Sequence, residues 1–408
     1  MKKIAKISLV AAIAVAGFTT ANAQPLEEAI KNVDVSGSVV YRYNDWNNDK
    51  SGATKDASDN NYKIGLNLSS KVNDDVKFNS RFLVADMANA GNFAPLDTSN
   101  SGDANVNTQL SQANFSYTGL KNTTVTVGKQ GLNTPYTTGV MIDENEQTGT
   151  GILALSTVGP VTLGAGFFNQ TNLGESGDVL PTTKTTKDNG VEIGATESAR
   201  RNSQNGSSDI AVVAAIATFA PVTIDAWYLD LADTFNTYTL GAKSEFNLSG
   251  VTLGADARYA SLNLDSTNTD NSIAKLALTA KAGIVNGKVA YATTNKEGGI
   301  TGLDSDAITV LKGWNLNTLN KADADYWQAV AGVDILSNLN LSANYGNLQY
   351  VSSKDDMKEE EVYGQLTYKM SKNLSTYVRY GTYTKENTTT KATSIDATGG
   401  RLQVAYTF

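Results

Sequence analysis

Apolar and polar residues alternate along much of the chain with the two-residue period of a β-strand. In the last eight residues every second side chain is apolar, namely Leu402, Val404, Tyr406 and Phe408. This period puts them on one face of a strand and the intervening residues on the other. Such a strand suits a wall with lipid on one side and water on the other. A half-buried edge strand of a soluble protein has the same pattern, so this segment alone leaves both alternatives open.

The connections between the alternating segments differ in length. Short turns, for example at residues 73–75 and 286–287, separate some segments, whereas longer polar stretches, for example 44–61, 170–208 and 295–325, separate others. Outer-membrane barrels combine short periplasmic turns with longer external loops. The pattern therefore predicts an all-β fold, a transmembrane antiparallel β-barrel of about 18 strands, with 16 as the alternative count.

Closure of the sheet follows from the absence of water in lipid. A strand in the hydrocarbon must pair its backbone on both edges, so a spanning sheet cannot have free edges. We therefore expect the strand that begins at Val33 to pair with the strand that contains Arg401. A barrel of this size encloses a lumen that side chains do not fill.

The N-terminus has the features of a secretory signal peptide. Lys2, Lys3 and Lys6 precede the apolar stretch 7–18, and the small residues 21–23 form a cleavage site. We expect residues 1–23 to be removed and residues 24–408 to form one barrel domain in the outer membrane of a Gram-negative cell. Loss of the three lysines changes the net charge from −8 to −11.

Composition argues against catalysis. The chain contains no histidine and no cysteine. Their absence removes the commonest general base and every Ser–His or Cys–His nucleophile pair. We therefore expect a protein that is not an enzyme, and an acidic chain of this kind is not expected to bind nucleic acid.

Several charged residues lie on the polar phase of the predicted strands. We expect a basic wall of the lumen from four arginines on strands that closure makes neighbours: Arg42, Arg81, Arg379 and Arg401. The alternative is that each arginine pairs with a local carboxylate on a wet surface. Three further residues are predicted to face the lumen: Glu245, Asp256 and Arg258.

The N-terminal segment 25–37, together with Tyr41–Arg42–Tyr43, resembles the mature N-terminus of the Campylobacter-type major outer membrane protein family, and so does Gly128–Lys129–Gln130. The resemblance implies a homotrimeric porin of about 18 strands that passes small hydrophilic solutes by diffusion and favours cations. The implied partners are membrane lipid and the barrel-assembly machinery, which would read the C-terminal aromatic residues Tyr406 and Phe408.

The same resemblance suggests a role for the loop between residues 131 and 149. In trimeric porins the third loop folds into the barrel and narrows it. This implies that Asp143, Glu144 and Glu146 lie at the constriction and face the arginines. The alternative is a solvated external loop, where charged residues commonly lie.

No cofactor is expected, apart from calcium as a minor hypothesis. Its candidate ligands are Asp304, Asp306, Asp323 and Asp325, since carboxylates are ligands that calcium prefers. No EF-hand spacing is present. Alternatives to a general porin are a substrate-selective channel for small acids, sugars or peptides, a structural or adhesive barrel, and a soluble secreted β-sandwich.

Overall fold

A computed structural model gives the structure of the chain. It describes residues 33–50, 56–86, 91–98, 102–103, 107–175, 186–188, 191–193, 208–265 and 268–408. The predicted signal peptide lies outside the described residues.

The described residues form eighteen long antiparallel strands. In chain order they are β1 (Val33–Asn48), β2 (Asp56–Lys71), β3 (Val76–Ala85), β4 (Asn107–Leu120), β5 (Thr123–Gly131), β6 (Thr148–Val158), β7 (Val161–Thr171), β8 (Ile210–Phe219), β9 (Val222–Leu231), β10 (Phe235–Leu248), β11 (Val251–Leu264), β12 (Thr269–Ala282), β13 (Val285–Thr294), β14 (Ala322–Leu336), β15 (Leu339–Ser352), β16 (Asp355–Lys369), β17 (Leu374–Asn387) and β18 (Ala392–Thr407). Shorter pieces are the strand segments Ala94–Pro95, Asp97–Thr98, Gly102–Asp103, Thr186–Asp188 and Val191–Ile193 and the 3₁₀ turn Leu173–Glu175.

The sheet closes on itself. Each of the eighteen strands pairs with the next along the chain, and β1 pairs with β18 from Ser38 opposite Thr407 to Asn48 opposite Ala397. Every strand therefore has two hydrogen-bonded neighbours, as lipid requires. The predictions of an all-β barrel and of pairing between the first and last strands are confirmed. No helix among the described residues is long and apolar enough to cross a membrane.

The two faces of the wall follow the alternation in the sequence. In β1 the side chains of Val35 and Tyr41 are exposed on the outside, whereas Ser38, Val40 and Arg42 are buried on the inside. The remaining strands repeat this arrangement, with large apolar residues exposed on the outer surface. Because that surface would be costly in water and favourable in lipid, the alternation identifies which side chains face the lumen.

The turns at the end of the barrel where Val33 and Phe408 lie are short. One of these turns lies three residues from its predicted position. Residues 286–287 were predicted as a turn, but both belong to β13, where Asn286 pairs with Lys281 of β12. The turn is formed at residues 283–284, where Gly283 has a φ of +57°. A glycine adopts this left-handed conformation at little cost, and this decides the position of the turn.

The connections at the other end are unequal in length. Four of them take only two to four residues, at 232–234, 265–268, 353–354 and 388–391. Longer connections include residues 132–147, here called loop 3, and residues 295–321, here called loop 7.

The seam between β1 and β18 depends on a glycine. Gly37 and Phe408 exchange two backbone hydrogen bonds, of 2.9 and 3.0 Å. A Cβ on Gly37 would overlap the carbonyl oxygen of Gly65 and lie 2.8 Å from Cζ of Phe408. The Phe408 ring also stacks on Tyr406, with ring centroids 5.7 Å apart. The terminal aromatic residue therefore occupies space that only glycine leaves open.

We predict that Gly37→Ala weakens closure of the barrel. Crowding of a packed site costs about 1–3 kcal/mol, and here the obstacle is backbone that cannot move aside. Gly364→Ala is the matched control, because it lies on the outer phase of β16 and its new Cβ would meet nothing closer than 4.0 Å. Gel mobility before and after heating measures the folded fraction; equal fractions for the two variants would contradict the prediction.

Candidate functional site

Loop 3 lies inside the barrel. Lys63, on the inner face of β2, donates from Nζ to the carbonyl oxygens of Met141 and Glu144, over 2.7 and 2.5 Å. At the other end of the loop the hydroxyl group of Tyr136 donates to the carbonyl oxygen of Trp227 in β9, over 3.4 Å. The loop therefore extends from β2 to β9 and takes up part of the lumen.

Glu146 fastens this loop to the wall. Its two carboxylate oxygens accept hydrogen bonds from Nε and Nη2 of Arg81, over 2.8 and 2.6 Å. Lys63 Nζ lies 3.0 Å from one of these oxygens, and Ser111 donates to the other over 3.2 Å. The side chains of Glu146, Lys63 and Arg81 are 0%, 1% and 3% exposed. Glu146 is therefore a buried anchor, out of reach of a passing solute.

The other two acids of loop 3 have a different environment. A terminal nitrogen of Arg42 lies 3.7 Å from Asp143 Oδ2, and the other lies 3.5 Å from Glu144 Oε1. The side chains of Asp143 and Glu144 are 33% and 26% exposed, whereas that of Arg42 is 7% exposed. In each ion pair the carboxylate is therefore the group that is accessible from the lumen, and the guanidinium group is buried.

The four arginines of the predicted wall divide into two sets. Arg42, Arg379 and Arg401 lie on the adjacent strands β1, β17 and β18, with Arg379 directly opposite Arg401 and Arg42 opposite Gln403. Arg81 lies on β3 and is engaged with Glu146, as described above. The first three therefore line one stretch of the wall, and Arg81 belongs to the anchor of loop 3.

Loop 7 also folds into the barrel, and the sequence reasoning missed this. The backbone N–H groups of Trp314 and Asn315 donate to the two carboxylate oxygens of Glu361, on the inner face of β16, over 2.9 and 2.7 Å. Lys275 of β12 donates to the carbonyl oxygen of Val310 over 3.2 Å. Strands from two parts of the wall therefore hold this loop inside the lumen.

Loops 3 and 7 are joined to each other. The N–H group of Leu303 donates to the carbonyl oxygen of Tyr136 over 2.7 Å, and Thr309 N–H donates to Pro135 O over 3.1 Å. Gln147 Nε2 in turn donates to Leu303 O over 2.6 Å. The two loops thus form one insert that narrows the lumen.

The sequence did carry a signal for loop 7. An external loop is normally polar, but this one contains a set of apolar residues: Ile300, Leu303, Ile308, Val310, Leu311, Trp314, Leu316 and Leu319. Leu303 and Leu316 are fully buried. Since apolar residues in a polar environment need a surface to pack on, their number in a connection of this length points to an inward fold.

The remaining lumen residues lie on another part of the wall. Arg258 of β11 donates from both terminal nitrogens to the carboxylate of Asp225, over 2.8 and 2.7 Å. Asp256 lies opposite Lys243 in the register of β10 and β11, and Glu245 is exposed on the same inner phase. The structure does not bring Glu245, Asp256 and Arg258 to the arginines of β1, β17 and β18.

The four aspartates proposed for calcium are Asp304, Asp306, Asp323 and Asp325. Asp306 forms an ion pair with Lys312 at 2.6 Å, and its N–H group donates to Asp304 over 2.7 Å. Asp325 accepts a hydrogen bond from the hydroxyl group of Tyr291, and Asp323 donates its N–H group to Asn295 O at the entry to β14. Across the described part of the chain no group of three possible metal ligands is close enough to hold an ion. The calcium hypothesis therefore has no support in this geometry.

The acids of loop 3 differ in proton affinity. Burial raises the pKa of Glu144, and the nearby charges of Arg42 and Lys312 offset this only in part. Burial would also raise the pKa of Glu146, but the hydrogen bond from Arg81 and the charge of Lys63 outweigh it and leave the pKa below its ordinary value of 4.5. Glu144 therefore takes up a proton before Glu146 as the pH falls.

Comparison with known proteins gives one family and a set of solved folds. The sequence profile described as Campylobacter major outer membrane protein matches residues 1–408. No curated protein sequence matches the chain significantly.

Solved outer-membrane structures share the fold at low sequence identity. The BenF-like porin from Pseudomonas fluorescens Pf-5 is 16% identical, with 93% of this chain and 99% of that chain covered and a TM-score of 0.72. OpdK from Pseudomonas aeruginosa is 16% identical, with 92% and 98% covered and a TM-score of 0.68. OccAB4 from Acinetobacter baumannii is 14% identical, with 92% and 98% covered and a TM-score of 0.67. At such identities the likeness concerns the fold alone.

We predict that Glu146→Gln frees loop 3. Removal of one partner from a buried ion pair typically costs about 3–5 kcal/mol, because the remaining charges of Lys63 and Arg81 are left without a counter-charge. Current through single channels in a planar bilayer should become noisier and larger on average. Glu245→Gln, which removes an exposed inner carboxylate, is the control and should behave as the parent. A quiet, unchanged current in Glu146→Gln would show that the pair does not hold the loop.

We also predict two separate steps on acidification from about pH 7 to about pH 3. Ionised Glu144 costs stability above its raised pKa, and this cost disappears as the pH falls through that value, with loss of its charge from the lumen. The stabilisation from Glu146 is complete above pH 4.5 and is lost as the pH falls through its lowered pKa. Ion preference should therefore change first and current noise later. Glu144→Gln should abolish the first step only; a single combined step would contradict this order.

Proposed function

Because the chain belongs to the Campylobacter major outer membrane protein family, we propose that it is a passive diffusion porin. It forms a water-filled channel through which small hydrophilic solutes and ions cross the outer membrane. The protein is an outer-membrane barrel, as the family and the fold indicate. The observation that carries the proposal is the closed barrel whose charged lumen is narrowed by two inward loops.

In this proposal the solute crosses the channel without a chemical change. Several charges of the lumen are engaged with one another in pairs, for example Arg258 with Asp225 and Arg81 with Glu146. Such pairs hold loops and shape an electric field, and the field and the width of the opening select the solute. The lack of histidine and cysteine supports the same interpretation, a channel without catalytic activity.

The finer proposal is a preference for cations. The accessible carboxylates of Asp143 and Glu144 support it, since the guanidinium group that neutralises them is buried behind them. The net charge of −11 expected after signal-peptide cleavage acts in the same direction, because it raises the local concentration of cations.

The proposal also covers how the protein reaches and enters the outer membrane. Residues 1–23 direct secretion through the general pathway, and the barrel-assembly machinery then recognises the C-terminal strand with Tyr406 and Phe408. Their exposed rings at the end of β18 support this role. The mature chain sits in lipid as a homotrimer.

A substrate-selective channel for small acids is the second candidate. Two inward loops leave less room than one, and the half-buried Arg379 and Arg401 lie on the inner face of the adjacent strands β17 and β18. Among proteins of similar fold, structures exist of OpdK with vanillate and of OccK2 in complex with glucuronate, both of which are carboxylates. The selective channel differs from the general one in binding its solute on the way through.

The test is planar-bilayer conductance under a salt gradient. We expect discrete openings in three equal steps and a reversal potential that favours cations. The double variant Asp143→Asn/Glu144→Gln should shift this potential toward anions, because it removes the accessible acids and leaves Arg42 in place. Glu245→Gln is the control for loss of an inner carboxylate elsewhere. No conductance at all would overturn the porin, and an unshifted potential would overturn the role of the two acids.

A further inference from the structure

We propose that Arg379 and Arg401, together with Trp314, form a binding subsite for the carboxylate group of a small planar organic acid. The inference rests on the proposed channel function and adds a ligand class to it. Its three residues come from β17, β18 and loop 7, which meet on the basic side of the lumen.

Among the described residues, Arg379 and Arg401 differ from the other inner arginines in having no carboxylate within ion-pair distance, although the charge of Glu361 acts on Arg379 from farther away. Each of Arg42, Arg81 and Arg258 has a carboxylate oxygen within 4 Å. No carboxylate among the described residues lies that close to Arg379 or Arg401. The two nevertheless lie directly opposite each other in the register of β17 and β18. Like charges in this position repel each other, so an anion between them would be stabilised by both.

The hydrogen bonds of the two guanidinium groups leave their outer ends free. Arg379 donates from Nε to Gln365 Oε1 over 2.9 Å. Arg401 donates from Nε to Asn44 Oδ1 over 2.6 Å. Within the described residues the four terminal nitrogens of the pair make no hydrogen bond, and both side chains are only half-buried. Terminal guanidinium nitrogens bind a carboxylate in a two-pronged geometry, so the available donors match this ligand.

Aromatic rings lie close to both guanidinium groups. The Arg379 Cζ atom lies 4.6 Å from the ring centroid of Tyr377, 5.2 Å from that of Trp314 and 5.3 Å from that of Tyr363. Arg401 Cζ lies 5.9 Å from the ring centroid of Trp314. The attraction between a guanidinium group and a ring face does not use its N–H groups as hydrogen-bond donors to another residue, so they remain available to a ligand.

Trp314 is the aromatic residue that the two arginines share. Its indole Nε1 is buried and has no hydrogen-bond partner among the described residues. Its backbone N–H is bound to Glu361, and its ring lies 4.9 Å from that of Trp46 and 5.2 Å from that of Tyr363. The residue is thus fixed in place, with its ring beside both guanidinium groups.

The aromatic surroundings favour a flat ligand over a spherical ion. A planar acid can pair its carboxylate with the guanidinium edges and place its body against neighbouring rings. A halide ion can do only the first of these. Benzoate is therefore a suitable probe, and benzamide, which has the same shape without the charge, is the matched neutral control.

The experiment titrates benzoate into single channels in a bilayer held in potassium chloride. We expect the single-channel current in potassium chloride to fall to a plateau as the benzoate concentration rises. Benzamide should leave this current unchanged. In Arg379→Gln and in Arg401→Gln the half-saturating concentration should rise about tenfold or more, because each variant removes charge-assisted hydrogen bonds. Lys243→Gln, an exposed inner cation on β10, should bind benzoate as the parent does.

The outcomes separate this inference from the channel proposal. Channels that conduct but show no saturable effect of benzoate would overturn the subsite and leave the porin standing. Equal block by benzoate and benzamide would show that the rings alone bind the ligand, and this would overturn the subsite. An equal loss of benzoate affinity in Lys243→Gln would show that the overall charge of the lumen is responsible, and this would also overturn it. If inorganic phosphate competes as strongly as benzoate, the site binds anions without preference for a planar carboxylate, and the ligand assignment is wrong. Absence of any conductance would contradict the proposed function itself.

Discussion

The structure depends on one constraint, that no backbone hydrogen-bonding group of a spanning strand can remain unpaired in lipid. The pairing of β1 with β18 satisfies it, and the alternation of side chains follows, since each residue of a closed wall points to lipid or to the lumen. The same constraint makes the seam sensitive to a single methyl group at Gly37, where the last residue, Phe408, fits against the first strand. It also creates the lumen, because a ring of eighteen strands is too wide for its own side chains to fill.

Inside this lumen the backbone groups of the loops also need hydrogen-bond partners, and side chains of the wall supply them. A loop that leaves water must still satisfy its backbone groups. The wall does this with opposite charges: Lys63 donates to carbonyl oxygens of loop 3, and Glu361 accepts from N–H groups of loop 7. The two loops then bond to each other. The accessible charged groups are Asp143 and Glu144, which lie beside Arg42 of β1, and the arginine pair on the neighbouring strands β17 and β18.

The sequence predicts the wall far better than its contents. A period of two and the need for closure are enough to predict the strands, their phases and the first-to-last pairing, and thereby the lumen side of Arg42 and Arg379. The roles of Glu144 and Glu146 could not be separated in this way, because they lie two residues apart in one loop and only the position of Arg81 and Lys63 distinguishes an anchor from an accessible acid. Loop 7 was missed because Lys275 of β12 and Glu361 of β16, which hold it, lie on strands that do not directly flank it, although its apolar residues indicated an inward fold. The turn near residue 286 was misplaced because Asn–Gly is good turn chemistry wherever it occurs, and the left-handed Gly283 decided the position.

The central claim is that two loops, not one, narrow the lumen, and loop 7 is the part that tests it. The most direct measurement is the single-channel conductance of a variant in which residues 300–318 are replaced by a short glycine–serine turn, compared with the parent in the same bilayer. Because the strands on either side pair independently of this segment, the variant should still show the gel mobility of a folded barrel. The account predicts a conductance severalfold above that of the parent. A folded variant with unchanged conductance would contradict it, because the segment would then lie outside the path of the ions.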